Sequence, residues 1–221
     1  MLLSNPHRFI FIHIYKNAGT SIRRALYPHT ATKMRWRLHN YATKIGVSRF
    51  RPRGAPKGYH GHVTAREVAE KMGRERFDSY FSFAIVRNPW DWVVSLWRYM
   101  VENQERFPDA PFERFNTFDG YVRWRCDGNY GFQKKWVCDE DGELMVDFVG
   151  RFEHLEEDFA EICRLIGVEA NLPHKNPSTH AHYTEYYTPE TIELVRKTYR
   201  PDIQFFGYEF DKAPGRPVVS C

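Results

Sequence analysis

The chain has 221 residues, of which 42% are hydrophobic and 16% aromatic; this is enough apolar material for one packed domain and argues against intrinsic disorder. No apolar run approaches the roughly 18 residues that a membrane-spanning helix needs, and the four cysteines lack the C-x-x-C spacing of a zinc site. The formal net charge of +4 is unevenly distributed, because residues 1–66 contain 13 Lys or Arg and no Asp or Glu. We therefore expect one domain over residues 1–221, without a membrane span or a metal.

The first legible stretch is F-I-F-I-H-I at residues 9–14, followed by Y-K-N-A-G-T-S-I. The short β-branched and aromatic run predicts a buried strand. The small residues after it predict a tight loop, and Thr20 and Ser21 can open a helix and offer a hydroxyl to cap its first turn. Such a loop favours anions, because its amides converge on the ligand, the helix dipole attracts negative charge, and Lys16 adds a full positive charge. The alternative is an ordinary strand-turn-helix with one exposed lysine.

Residues 29–57 have weak periodicity and eight Lys or Arg, which predicts a long basic excursion. A stripe of this kind attracts polyanions; a solvated loop whose charge only aids solubility is the alternative. The stretch Y-H-G-H-V follows, and a strand-like backbone would point His60 and His62 to the same side. Structural histidines bonded to the backbone are the alternative. The T-A-R-E sequence after it predicts a capping box and a helix to about Met72.

A second buried strand is predicted by S-F-A-I-V-R, which ends at Arg87, and N-P-W-D follows it directly. The asparagine is a good N-cap, the proline suits the first helical position, and the aspartate favours the first turn. Arg87 and Ser95 are then candidates for a second phosphate, so the two strand-to-helix turns predict a ligand with phosphates at both ends. A salt-bridged arginine and a helix-face serine are the alternatives.

Further along the chain, the patterns predict a helix at residues 118–125, a turn at 138–142, a strand at 145–152 and helices at 154–166 and 188–199. Cys126 and Cys138 flank a glycine-rich turn and could pair, although thiols are expected in a reducing cytosol. Alternating strands and helices predict an α/β, P-loop-like three-layer fold, with a central parallel sheet flanked by helices. Ligands bind at the carboxyl ends of such strands, so one cleft is expected to collect Lys16, His62 and Arg87.

The two turns resemble known motifs. K-N-A-G-T-S and R-N-P-W-D-W-V-V-S-L-W resemble the 5′-phosphosulfate loop and the 3′-phosphate motif of sulfotransferases, which use 3′-phosphoadenosine 5′-phosphosulfate (PAPS). The form of these motifs is closer to that of the carbohydrate sulfotransferases, especially the heparan and dermatan uronyl 2-O type. The stretch Y-H-G-H-V in this sequence resembles the histidine pair of those 2-O enzymes. The C-terminal stretches V-G-R-F-E-H-L and Y-T-P-E-T-I-E-L are also similar, so the likeness covers most of the chain in scattered motifs. Tyr15 departs from the pattern, since many relatives have proline there.

The resemblance implies transfer of a sulfuryl group from PAPS to an acceptor hydroxyl on a carbohydrate, with 3′-phosphoadenosine 5′-phosphate (PAP) as product and no metal. It implies that His62 is the base, that His60 assists it, and that Lys16 stabilises the leaving phosphate. The implied partner is a hydroxyl-bearing acceptor, a glycan or another anionic substrate, rather than nucleic acid, and the basic excursion at residues 29–57 is expected on the acceptor side. The sequence leaves open whether the protein forms a homo-oligomer. The residues implied to bind the cofactor are Lys16, Asn17, Ala18, Gly19, Thr20, Ser21, Arg87 and Ser95.

Two other function classes remain as alternatives. A P-loop kinase or NTPase would share the sheet, but G-x-x-x-x-G-K-[ST] places its lysine directly before the hydroxyl residue, and Asp147 falls inside a predicted strand rather than at its end. A non-catalytic module that binds polyanions or nucleic acid would explain the basic excursion, but it has no need for two phosphate loops and a histidine pair.

The N-terminal residues bear on location. Residues 1–7 contain no long apolar segment of a signal peptide, which predicts a cytoplasmic enzyme. Many of the carbohydrate sulfotransferases that the chain resembles are anchored in the Golgi. A Golgi-type catalytic domain with its anchor removed is therefore the alternative.

Overall fold

A five-stranded sheet organises the part of the chain that the computed structural model describes, residues 1–30, 62–128, 130–173, 181–212, 215 and 218–219. The strands lie in the order β1-β2-β3-β4-β5. The inner three are parallel, and the two edge strands are antiparallel to their neighbours. The predicted α/β fold with a central parallel sheet is confirmed, whereas no sequence pattern indicated the edge strands. The strands are β1 Leu2–Ser4, β2 Phe9–Ile12, β3 Phe81–Val86, β4 Phe148–Arg151 and β5 Val218–Val219.

The helices begin largely where local capping chemistry predicts them. Thr64 and Glu67 form the predicted capping box, and the side chain of Asn88 accepts a hydrogen bond from the main-chain nitrogen of Trp90. In the described ranges the α-helices are α1 Gly19–Leu26, α2 Ala65–Met72, α3 Arg74–Asp78, α4 Pro89–Glu102, α5 Phe118–Cys126, α6 Lys134–Val137, α7 Leu155–Leu165, α8 Pro189–Thr198 and α9 Arg200–Phe206. Short 3₁₀ helices occupy Tyr27–Thr30, Gln104–Arg106, Phe112–Arg114, Phe152–His154 and Tyr183–Tyr186.

The sheet packs one face against α1 and α7. Alternate residues of a strand share a face, so Phe11 on β2 and Phe83 on β3 stack with their ring centroids 5.1 Å apart. Ile22 of α1 and Ile162 of α7 are fully buried in the same cluster. Burial of a side chain of this size contributes about 1.5–3 kcal/mol, so these contacts hold the loop after β2 on a rigid support.

The described residues group into two compact units. Unit 1 comprises Met1–Val86, Trp136–His174 and Pro217–Cys221 and contains the sheet; unit 2 comprises Arg87–Lys135 and Lys175–Arg216. Unit 2 has an aromatic interior of its own, in which Trp92 and Tyr199 lie edge to face with centroids 6.1 Å apart. The single domain predicted for residues 1–221 stays a prediction.

Several sequence-based expectations need correction or fall outside the description. The helix predicted to run to about Tyr199 does end there, at Thr198, but a further helix that was not predicted, α9, begins at Arg200, with a proline in its first turn. Cys126 and Cys138 do not form a disulfide with each other. Most of the basic excursion and all of the stretch Y-H-G-H-V before His62 fall on residues 31–61, which lie outside the described residues. In the described ranges, none of the helices is both long and apolar enough to cross a membrane.

Asp147 lies just before β4 rather than inside a strand, because the strand begins only at Phe148. Its carboxylate accepts hydrogen bonds from the main-chain nitrogen of Ser82 at 2.7 Å and from its hydroxyl at 2.8 Å. Ser82 lies at the start of β3. Asp147 therefore joins the amino ends of two parallel strands, away from the carboxyl ends where ligands bind in such sheets.

Candidate functional site

The loop between β2 and α1 has an unusual backbone. Lys16 and Ala18 have φ values of 64° and 56°, in the left-handed region that residues with a Cβ atom seldom adopt. Each such residue costs on the order of 1–3 kcal/mol. Asn17 lies between them, is 1% exposed, and donates a hydrogen bond from Nδ2 to the carbonyl of Ile85 at 2.8 Å. This contact ties the strained loop to the end of β3, an arrangement typical of a ligand-binding segment.

The first helix begins one residue earlier than the hydroxyl pair suggests. Gly19 is its first residue, Ala18 is the N-cap, and no side chain of the described residues caps it. The carbonyl of Ala18 accepts hydrogen bonds from the main-chain nitrogens of Ser21 at 2.9 Å and Ile22 at 3.1 Å. The expected hydroxyl cap is therefore wrong, since Thr20 and Ser21 lie within the first turn. A helix N-terminus without a side-chain cap, beside a lysine, is suited to an anion.

Gly19 is required because His13 lies against it. A Cβ atom built on Gly19 would be 1.7 Å from Nε2 and 1.9 Å from Cδ2 of that imidazole. No motif indicates His13; the available signal is a single titratable residue at the end of an apolar strand pattern. The glycine at the start of α1 thus makes room for the imidazole of His13.

We expect Gly19→Ala to destabilise the protein by about 1–3 kcal/mol, because the new methyl group overlaps the His13 ring. Urea denaturation of the single and double variants measures the effect. In a His13→Ala background the ring is absent, so the same Gly19→Ala change should cost less than about 0.5 kcal/mol. Independent changes add to within about 0.5 kcal/mol, so a larger difference between the two backgrounds indicates that the two residues interact. Equal costs in both backgrounds would contradict the proposed steric cause.

His62 lies next to the loop and is held by it. Its Nδ1 is 3.1 Å from the main-chain oxygen of His13, and the two imidazole rings pack with centroids 4.4 Å apart. A carbonyl oxygen only accepts, so Nδ1 must carry the proton. In the neutral ring Nε2 is then an acceptor, as a general base requires. His62 as a residue is exposed to solvent, as a residue that meets a substrate must be.

Two more rings surround His62, and we call Tyr15, His62 and Trp136 the ring cluster. The centroid of His62 is 6.1 Å from those of both Tyr15 and Trp136, which are 5.8 Å from each other. All three pairs are nearly perpendicular, the favourable edge-to-face geometry. The cluster limits rotation of the imidazole and provides a half-buried apolar surface beside it. His60, the other predicted histidine, lies outside the described residues.

The second predicted anion motif belongs to unit 2. The guanidinium group of Arg87 forms a two-pronged ion pair with Asp91, with Nε–Oδ2 at 2.7 Å and Nη2–Oδ1 at 2.8 Å. These side chains are only 15% and 18% exposed. The salt-bridged alternative is therefore present, and an anion would have to share Arg87 with Asp91. Ser95, four residues after Asp91 on α4, is half-buried.

The main chain of Arg87 is held by a residue that no motif indicates. Gln133 accepts a hydrogen bond from the nitrogen of Arg87 at 2.9 Å and donates one to its oxygen at 2.7 Å. Asp202 accepts hydrogen bonds from the main-chain nitrogens of Gln133 and Lys134, both at 2.8 Å. Burial raises the pKa of the Asp202 carboxyl to about 6, although these hydrogen bonds oppose the shift.

The predicted site residues are thus distributed over both units. Unit 1 contains the loop residues from Lys16 to Ser21. It also contains His62, which contacts His13 and Tyr15, just before Lys16 in the chain. Unit 2 contains Arg87 and Ser95, so their shared cleft with Lys16 stays a prediction. The described residues contain no group of three or more His, Cys, Asp or Glu side chains placed to hold a metal ion.

Comparison with known proteins places these features in context. A family model described as "Sulfotransferase family" matches residues 1–209. The chain is also similar to an uncharacterized protein of Archaeoglobus fulgidus, with 30% identity over 105 residues, which is 48% of this chain and 82% of the relative.

Proposed function

Because this chain belongs to the sulfotransferase family, we propose that it transfers a sulfuryl group from PAPS to a hydroxyl group on a carbohydrate acceptor. One observation carries the proposal: the imidazole of His62 is fixed next to an anion-type loop through the carbonyl of His13, 3.1 Å from Nδ1. This hydrogen bond makes Nε2 the proton acceptor of the neutral ring. A base placed beside an anion-type loop suits transfer of a sulfuryl group from a phosphosulfate to a hydroxyl group.

The charge and the hydrogen-bond donors of the described residues suit the phosphate groups of PAPS. When bound, PAPS would supply the activated sulfuryl group. The loop Lys16, Asn17, Ala18, Gly19, Thr20 and Ser21 would hold the 5′-phosphosulfate, supported by the positive charge of Lys16 and the uncapped start of α1. Asn17 would contribute through its main chain, because its side-chain nitrogen donates to Ile85. Arg87 and Ser95 would hold the 3′-phosphate, with Asp91 as the competing anion.

Each polar group at the loop has a distinct part in the proposed reaction. His62 takes the proton of the acceptor hydroxyl at Nε2, and the ring cluster keeps its imidazole oriented. Lys16 stabilises the negative charge that collects at the loop as the sulfuryl group leaves. His60 would assist His62, as the family motif implies.

A carbohydrate acceptor is supported by the ring cluster. Ligand sites commonly combine aromatic walls with a few placed polar groups, and Tyr15 and Trp136 form such a wall beside His62. The C–H face of a sugar ring can pack on it while a hydroxyl meets Nε2. Incubation with radiolabelled PAPS and a panel of sugars, glycans and simple alcohols would test this acceptor class; labelling of simple alcohols alone would overturn it. A cytoplasmic location is part of the same proposal and is tested by cell fractionation.

We expect PAP to stabilise the folded protein, because both motifs bind phosphate in this proposal. At a PAP concentration a hundredfold above its Kd, the free energy of unfolding should rise by about 2.7 kcal/mol. Calorimetric titration gives the Kd, and thermal unfolding with and without PAP gives the stabilisation. ATP with magnesium is the matched control, and equal affinity for ATP and PAP would count against the assignment.

The two alternative functions make different demands. A kinase needs a carboxylate for magnesium at the ligand end of the sheet, whereas Asp147 is bound to Ser82 at the other end. A polyanion-binding module would rest mainly on residues 29–57, most of which lie outside the described part of the chain. Formation of a sulfated product separates the proposed enzyme from both.

A further inference from the structure

We infer that Gln133 is a positioning residue for nucleotide binding, which holds Arg87 where its guanidinium group meets the 3′-phosphate, and that Asp202 in turn holds Gln133. The inference rests on the proposed function, because it concerns the part that Arg87 plays there. It adds two residues, 46 and 115 positions after Arg87 in the chain, to the machinery of the second motif.

The side chain of Gln133 supplies hydrogen bonds to the main chain of Arg87 of the kind that a neighbouring strand provides inside a sheet. The pairing of β3 with β4 ends at Val86 and Arg151, so Arg87 is the first residue beyond the ladder. One amide group then satisfies both main-chain groups of Arg87, at 2.9 Å and 2.7 Å. Two hydrogen bonds to one residue fix the main chain of Arg87, and with it the direction in which its side chain leaves the backbone.

Gln133 is itself rigidly held. Its side chain is 0% exposed, and its main-chain nitrogen donates to Asp202, which is also 0% exposed. A buried carboxylate is costly unless hydrogen bonds compensate it. Each carboxylate oxygen of Asp202 accepts a hydrogen bond from one of two consecutive main-chain nitrogens, those of Gln133 and Lys134. This carboxylate therefore orders the segment that carries the Gln133 side chain.

Arg87 is consequently held at two points. Gln133 fixes its main chain, and Asp91 fixes the guanidinium group through two contacts of 2.7 Å and 2.8 Å. Without Gln133, Arg87 would keep its ion pair with Asp91 but lose both hydrogen bonds to its main chain, and the guanidinium group would lose its defined position for a phosphate. Since charged hydrogen bonds need good geometry, the loss should appear in binding of the 3′-phosphate.

The test compares two nucleotides that differ only in this phosphate, PAP and adenosine 5′-monophosphate (AMP). Calorimetry gives both Kd values, and their ratio reports the contribution of the 3′-phosphate. In the unmodified protein PAP should bind about 10–100-fold more tightly than AMP, as expected for hydrogen bonds to a charged group. Gln133→Leu should bring the ratio to about 1–3 while leaving AMP affinity unchanged. Gln133→Glu keeps an acceptor for the Arg87 nitrogen but loses the donor, so its ratio should be intermediate.

Thr191→Val is the matched control, because Thr191 is also a buried polar residue of unit 2 but bonds within the cap of α8. Its PAP-to-AMP ratio should equal that of the unmodified protein. An unchanged ratio in both Gln133 variants would overturn the inference and leave the proposed function standing. Equal loss of PAP and AMP affinity in both Gln133 variants would also overturn it, because that result shows general damage. If the unmodified protein itself does not distinguish PAP from AMP, the proposed 3′-phosphate role of Arg87 fails and the inference fails with it.

Discussion

His62→Ala is expected to lower kcat by about 10²–10⁴-fold, the usual contribution of a general base, while the Kd for PAP stays nearly unchanged. The reason lies in the contacts of the imidazole: Nδ1 is bound to the His13 carbonyl, and Nε2 is the accepting nitrogen. Loss of the ring removes the proton acceptor and leaves the anion loop in place. Steady-state kinetics with an acceptor that turns over, together with PAP calorimetry, measure the two quantities.

Two further measurements sharpen this prediction. His154→Ala, which removes a histidine beside α7 in the same unit, should leave kcat unchanged. Since the His62 side chain is exposed, added imidazole should restore part of the activity of His62→Ala but not of the other variants. A near-normal kcat in His62→Ala would exclude it as the base and direct attention to His60 or to a residue outside this motif.

Lys16→Met is expected to damage both catalysis and binding. The lysine charge meets the nucleotide on binding and again as negative charge develops during transfer, so kcat should fall by about 10²–10³-fold. PAP affinity should fall by about tenfold or more, the range for a hydrogen bond to a charged group. Methionine retains most of the side-chain length, and it bears the same left-handed φ of 64° with a similar cost. The change therefore tests the charge rather than the backbone.

The control for Lys16 is Lys71→Met, which removes a positive charge from the last turn of α2. It should alter neither kcat nor PAP affinity by more than about twofold, because an exposed charge away from the loop is screened by salt. Normal PAP affinity in Lys16→Met would contradict the proposed binding role. A normal kcat with weakened PAP binding would mean that Lys16 contributes to binding of the nucleotide but gives no additional stabilisation of the transition state.

Local patterns were sufficient to predict most of the elements from the sequence. The apolar runs that became β2 and β3, the capping box of Thr64 and Glu67, and the Asn-Pro start of α4 depend on neighbours within a few residues. The anion site around Lys16 was predicted in the same way, from a strand, small residues and a helix start that are adjacent in the chain, and it stays a prediction. Such interactions remain when the rest of the protein is ignored.

Only the tertiary structure decided how the candidate site is supported. The left-handed backbone beside Asn17 depends on the carbonyl of Ile85, 68 residues away, and this backbone shifts the start of α1 to Gly19. The contact of His62 with His13 spans 49 residues. The contacts of Gln133 span 46 residues to Arg87 and 69 to Asp202. No periodicity or cap relates residues so far apart; they meet because the packed sheet and helices bring distant segments of each unit together, and the hydrogen bonds and ring contacts form there.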